Sequence, residues 1–338
     1  MKALVCIKPG NLEYADLPEP VQKPGHAIVR IRNICICGTD LHAFEGTQPY
    51  FNYPRILGHE LSGELVDFDF APGFHKGDNV TFLPYINCGV CIACRTGKTN
   101  CCERLQVCGV HIDGGMVDYF SIPTRLLVSS QGLNLTELSM VEPFAIGAHG
   151  IRRADVQKDE FVLVMGAGPI GICAMEFARI RGAKIIVMDM NSFRLDFCKA
   201  KLGVPHLINA RDNNILEQLK DITHGEMPTV VIDASGNLKA INQGIHYLAH
   251  GGRYILIGLQ KEDFAFSHPE FHKKESTLMS SRNATREDFE IVIHGIKNNL
   301  INPLILISNR VKFREAASGF SDWLDPASKT IKVVVEND

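Results

Sequence analysis

Phe161-Val162-Leu163-Val164-Met165 runs straight into Gly166-Ala167-Gly168-Pro169-Ile170-Gly171, and Asp189 follows eighteen residues after Gly171. Five apolar residues before a glycine turn read as a buried strand, Ile170–Arg181 as a helix and Lys184–Met190 as a second strand. In a G-x-G-x-x-G turn the first glycine makes the bend and the second lets a pyrophosphate approach the backbone. The third lets the helix pack closely, and the phosphates sit at the positive helix end. Asp189 closes the next strand, where a carboxylate accepts both ribose hydroxyls of an adenosine. An NADP site more often replaces that acid or sets an arginine beside it, and residue 190 is Met. Arg194, the nearest arginine, can stack on adenine without reading a phosphate. The segment therefore predicts NAD, with Gly166, Gly168, Pro169, Ile170, Gly171, Asp189 and Arg194 around it.

Downstream the alternation continues. Strands are expected at His206–Asn209, Thr229–Ala234 and Tyr254–Leu259, with helices at Phe193–Leu202, Ile215–Ile222 and Leu238–His250. Repeated βα units imply a parallel sheet covered on both faces, a doubly wound α/β fold. Residues 1 to about 140 differ in texture. Short β-prone runs, Ala27–Ile31, Gly63–Phe68 and Asn79–Phe82, are broken by glycine and proline, which predicts an irregular, mainly β domain. The last sixty residues hold a helical segment at Arg286–Lys297 and end in a strand, Thr330–Val335.

Within the first domain Cys88, Cys91, Cys94 and Cys102 form C-x₂-C-x₂-C-x₇-C. Four thiolates so close can fold around one Zn²⁺ as a closed tetrahedral S₄ site, a structural metal with no position open for chemistry. An iron–sulfur run normally has a three-residue last gap followed by proline, whereas here the gap is seven and Glu103 follows. Spacing favours Cys102 over Cys101. A second metal is suggested by scattered residues: Cys37-Gly38-Thr39-Asp40-Leu41-His42, Gly58-His59-Glu60 and Glu142-Pro143. A catalytic zinc needs about three N, S or O ligands and one open position. Cys37, His59 and Glu142 would satisfy that, although no local spacing brings the three together.

Composition narrows the partners. The 338 residues carry a net charge of −3 with no basic stripe, which argues against nucleic acid and anionic membrane. Neither a signal-peptide core nor a run of eighteen apolar residues is visible, so eleven cysteines read as metal ligands and buried thiols in a reducing, cytoplasmic compartment.

Taken in order, C-G-T-D-x-H, G-H-E, the four-cysteine lobe, E-P and G-x-G-x-x-G closely resemble the zinc-dependent medium-chain alcohol and polyol dehydrogenases across essentially the whole chain. The resemblance implies a split GroES-like catalytic domain, 1–144 plus 280–338, around a Rossmann domain at 145–279. It implies catalytic zinc ligands at Cys37, His59 and Glu142, with Glu60 able to enter the coordination sphere. The implied reaction is oxidation of a secondary alcohol, with zinc as Lewis acid and a proton relay through Thr39 and His42. Asp40 is expected to orient ligands. Glutamate as third ligand is the pattern of polyol, sugar and threonine dehydrogenases. The segments Gln48–Phe51, Pro54-Arg55, Val110–Gly115, Pro269–Glu275 and Ser281–Ala284 look most like the sugar-acid branch, the L-galactonate 5-dehydrogenases among it. Arg282 stands where polyol dehydrogenases place a substrate-pocket arginine. A small polyhydroxy substrate and a homo-oligomer, dimer or tetramer, are what the resemblance implies. A zinc-free reductase of the superfamily would lack the lobe and G-H-E, and a non-catalytic relative would have lost a ligand or the glycine turn.

Overall fold

Along His26–Cys35 the residues Ala27, Val29 and Ile31 are buried while their neighbours are half-exposed, the period-two signature of a strand with one face on a core. This strand organises the first of two units into which the chain divides, Met1–Glu142 with Thr285–Asp338; the second is Pro143–Ala284. The boundaries thus fall at 142/143 and 284/285, where the sequence suggested 144/145 and 279/280. The structure, a computed structural model, describes residues 1–337.

In the first unit His26–Cys35 pairs antiparallel with Glu60–Phe68, Tyr119–Pro123 and the C-terminal strand Lys332–Glu336. Lys332–Glu336 in turn runs parallel to Ile307–Lys312, so strands from residues 307–336 join the sheet built by residues 26–129. Register decides what meets what. Cys35 lies opposite Glu60 on one side and opposite Val334 on the other. Cys37, two residues on, is thereby delivered toward His59 and toward Lys332, two residues before Val334. The short helix Gly38–Glu45 starts at that point.

The second unit is a six-stranded parallel sheet in the order His206–Asn209, Lys184–Asp189, Phe161–Met165, Val230–Asp233, Arg253–Leu256, Thr277–Ser280. Numbered along the unit this is 3-2-1-4-5-6, the dinucleotide-binding order. Leu163, Met165, Ile186, Val231 and Tyr254 form its core with Leu219 of the helix Ile215–Ile222. The helix expected over Leu238–His250 ends at Gly244 and continues as a 3₁₀ turn, Ile245–Tyr247. Tyr254 explains the stop: its hydroxyl donates to the Ile241 carbonyl at 3.0 Å, taking the acceptor that the next α-turn would use. A Cβ on Gly244 would meet that hydroxyl at 2.3 Å, so only glycine fits. The helix Val141–Ala154, which carries Glu142-Pro143 in its first turn, was not visible in the sequence pattern. Its Gly147 lies against the Cys173 and Ala174 backbone, where a Cβ would stand 2.6 Å from a carbonyl carbon. No helix among the described residues is long and apolar enough to cross a membrane.

Candidate active site

The four lobe cysteines come together. Sulfurs of Cys88, Cys91, Cys94 and Cys102 all lie within 4.8 Å of one another, and none is in a disulfide. A tetrahedron with zinc–sulfur bonds of about 2.3 Å sets its sulfurs roughly 3.8 Å apart, so the cage has the size of the S₄ site. Cys101 is exposed and stands outside the cage. Amides serve the sulfurs: backbone Cys88 N and Arg104 N each donate to Cys102 Sγ at 3.3 Å, and the side-chain Asn87 Nδ2 to Cys94 Sγ at 3.4 Å. Amides of Val90 and Cys91 hold the Cys88 thiol down to about 6, within reach of the thiolate a metal requires.

The second constellation lies at the head of the strands described above. Ligand atoms of Cys37, His59 and Glu60 are mutually within 4.8 Å. Asp40, fully buried, accepts from Cys37 N at 2.9 Å and Gly58 N at 3.1 Å, and so ties together the two segments that carry the ligands. His59 Nδ1 is buried with no hydrogen-bond partner, 3.8 Å from Asp40 Oδ1. Burial by itself would lower the His59 pKa, but Cys37, Asp40 and Glu142 outweigh it and raise it well above the ordinary imidazole value. Glu142 is buried and accepts from the Tyr85 hydroxyl. Burial, with Glu60 adding to it, pushes its carboxyl up to about 7.

Three buried carboxylates and a thiol thus gather around Lys332 and His59. Lys332, 2% exposed, donates to both Glu60 oxygens at 2.7 Å and to the Ile36 carbonyl at 3.1 Å. The Cys37 sulfur, the orphaned His59 nitrogen and the Glu60 carboxylate offer the S, N and O donors of a catalytic zinc, and the crowding of acids that raises the His59 pKa is the field a dication would relieve, so the residues fit that metal. The carboxylate in the compact triad is Glu60, while Glu142 is tied by Tyr85. Sequence reasoning missed Tyr85 and Lys332. For Lys332 the one available signal was a lone charge ahead of Val333-Val334-Val335 in a strand pattern.

Thr39 is half-buried on the first turn of Gly38–Glu45, and His42 lies one turn further on the same face. The His42 side chain is 60% exposed, with Nδ1 3.1 Å from Thr47 Oγ1 and 3.4 Å from Glu45 Oε2.

In the Pro143–Ala284 unit Gly166 has φ +102°, and Gly168 caps the helix Pro169–Ile180, whose first residue is proline. A Cβ on Gly171 would collide with the Gly166 carbonyl oxygen at 1.9 Å. One on Gly168 would meet only Arg194 Nη1, at 3.7 Å, so the backbone there lies open to a phosphate. Asp189 Oδ2 accepts from Ala167 N at 2.6 Å and Oδ1 from Asn191 N at 2.8 Å. The Asp189 carboxylate therefore braces the turn. A second loop supports it: buried Asp233 accepts from Ser235 N and Oγ and from Gly236 N, and Ser235 packs on Gly166. Arg282 is exposed in this unit, just past the strand Thr277–Ser280.

Two family models match the chain, "Alcohol dehydrogenase GroES-like domain" over residues 23–132 and "Zinc-binding dehydrogenase" over 169–298. L-Galactonate-5-dehydrogenase of Escherichia coli K12 is 39% identical, covering 99% of this chain and 98% of its own. Sorbitol dehydrogenase of Halalkalibacterium halodurans is 30% identical over 93% and 94%. An alcohol dehydrogenase of E. coli CFT073, solved with NADH, superposes with a TM-score of 0.91 at 28% identity and 99% coverage of both chains.

Proposed function

Since this chain belongs to the zinc-binding alcohol dehydrogenases, we propose that it is an NAD-dependent enzyme oxidising a secondary hydroxyl of a sugar acid, reversibly, at the C5 position of an aldonate such as L-galactonate. The observation that carries the chemistry is the Cys37–His59–Glu60 triad, with His59 and Glu60 buried, Cys37 half-buried and buried Glu142 acting on the same imidazole. The choice of an acid is supported by 39% identity to an L-galactonate dehydrogenase along 99% of the chain.

When bound, zinc supplies Lewis acidity to the substrate hydroxyl and the nicotinamide accepts hydride. Cys37, His59, Glu60 and Glu142 would hold the catalytic metal, and Cys88, Cys91, Cys94 and Cys102 the structural one. Asp40 keeps Cys37 and His59 in place. Lys332 holds both Glu60 oxygens, so Glu60 would be shared between the lysine and the metal. Thr39 Oγ takes the substrate's hydroxyl proton outward, and exposed His42 exchanges it with water. Gly166, Gly168, Pro169, Ile170 and Gly171 form the pyrophosphate cradle. Asp189 receives the adenosine ribose hydroxyls, Arg194 flanks the cradle, and Arg282 serves the hydroxyls of the polyhydroxy chain.

Two measurements test this reading. A panel of L-galactonate, sorbitol, galactitol and L-threonine with NAD should give the highest kcat/KM for the aldonate. The sorbitol dehydrogenase relative makes a neutral hexitol the second reading, and faster hexitol turnover would decide for it. Separately, Asp189→Ala removes a charge-assisted ribose contact and a repulsion against a 2′-phosphate. The NAD-to-NADP ratio of kcat/KM should fall roughly ten- to a hundredfold. A wild type that already prefers NADP would sink the assignment of Asp189.

A further inference from the structure

Beyond the reacting centre, the first unit carries a polar surface with two buried side-chain atoms left unsatisfied. These are Arg55 Nε and Gln48 Oε1. Both sit on a segment that leaves the helix bearing Thr39 and His42. Thr47 N and Gln48 N donate to the His42 carbonyl at 2.9 and 3.2 Å, and the Tyr53 hydroxyl donates to the Ala43 carbonyl. A second segment, 107–116, lies on Gly58, the residue before His59: Gly115 N donates to Gly58 O at 2.9 Å and Gly114 N to Ile56 O at 2.8 Å. The two segments meet. Tyr50 stacks on His111 with ring centroids 6.4 Å apart, and Asp113 Oδ1 accepts from Ile56 N at 3.1 Å. Arg55 Nη1 stands 3.4 Å from the same oxygen, a long contact that occupies one end of the guanidinium only.

The chemistry of this surface is specific. An arginine edge buried without an acceptor is costly unless a ligand supplies one. The Arg55 side chain is 19% exposed, against 60% for Asp113. A guanidinium edge of one Nε and one Nη matches a carboxylate as a two-point fork. His111 Nδ1 accepts from Val107 N at 3.1 Å, which puts the proton of the neutral ring on Nε2 and makes that nitrogen a donor. Gln48 Oε1 is an acceptor for a hydroxyl.

We infer that these two segments form the subsite for the end of the substrate remote from the oxidised carbon, with Arg55 binding the carboxylate and Gln48 and His111 the adjoining hydroxyls. This rests on the acid reading proposed above and deepens it. Asp113 then acts as a competing acceptor that tempers the affinity.

Steady-state kinetics of the zinc- and NAD-loaded enzyme with L-galactonate and with sorbitol test the assignment, beside melting temperatures of each variant. Arg55→Gln should raise the aldonate KM relative to the hexitol KM roughly ten- to a hundredfold, the loss of a charge-assisted hydrogen bond, with kcat moving far less. Asp113→Asn keeps the acceptor oxygen for Ile56 N but removes the negative charge that competes for the guanidinium, so it should move the same ratio the other way. If the pair only braces the loop, both variants will lower the melting temperature and shift both substrates in one direction, and the inference is overturned. A wild type that oxidises hexitols but not aldonates would refute the acid substrate alone. The subsite is then read from competitive inhibition by L-galactonate: an inhibition constant that rises in Arg55→Gln upholds it, and an unchanged constant or no inhibition overturns it.

Discussion

Lys332→Met is expected to destabilise the protein by about 3–5 kcal/mol, on the order of a 10 °C fall in Tm. Glu60 is fully buried and both its oxygens are held by Lys332. Removing the lysine leaves a carboxylate in the interior with nothing to offset its desolvation. Methionine fills the volume, so packing contributes little to the loss. The doubly substituted Glu60→Gln/Lys332→Met protein should recover most of the stability, because no charge is then stranded. Chelator treatment supplies a further check. A dication beside Glu60 takes over part of the lysine's role, so Lys332→Met should lose more after metal removal than before it. A single variant as stable as wild type in both conditions would show that Glu60 is neutral in the folded state.

His59→Ala should abolish turnover while leaving the fold. We expect kcat/KM to fall roughly 10³-fold or more, the scale of losing a Lewis acid worth several kcal/mol. Elemental analysis should then find one zinc per chain where the wild type has two, because the cysteine lobe keeps its own. The imidazole is nearly enclosed, 6% exposed, so Ala opens a small polar void and some loss of stability accompanies the loss of metal. Retention of both zinc ions, or of activity, would remove His59 from the ligand set.

What could be seen in the sequence follows the range of the interactions. The glycine turn and the lobe are local: strand, turn and helix follow in order, and the lobe cysteines lie within fifteen residues. The parallel strands could be recognised because burial on both faces makes each a continuous apolar run. Cys37, His59-Glu60 and Glu142 fall on three separate segments, and spacing says nothing about them. Strand register, Cys35 opposite Glu60, and the buried Asp40 bridge join the first two, and family resemblance supplied what local chemistry did not. Lys332 was invisible because a lysine in a strand pattern reads as a solvent-facing residue; its burial is a property of the finished sheet. The helix Val141–Ala154 was hidden by its Pro143 and two glycines, which serve close packing and depress helical propensity.

The strand that carries Lys332 also sets an order of events in the making of the protein. Glu60 and its lysine are 272 residues apart, and the Ile36 carbonyl and the same lysine 296. A ribosome adding about 5–20 residues per second exposes the first half of the site roughly 15–50 s before its counter-charge. During that interval the segment 26–68 can form its hairpin, but Glu60 must stay hydrated or hold a proton. The first unit therefore cannot close around its acidic cluster until the strand that carries Lys332 has been made, and a nascent chain cut short of Lys332 would display an open, acidic sheet end to the cellular machinery that recognises unfinished proteins.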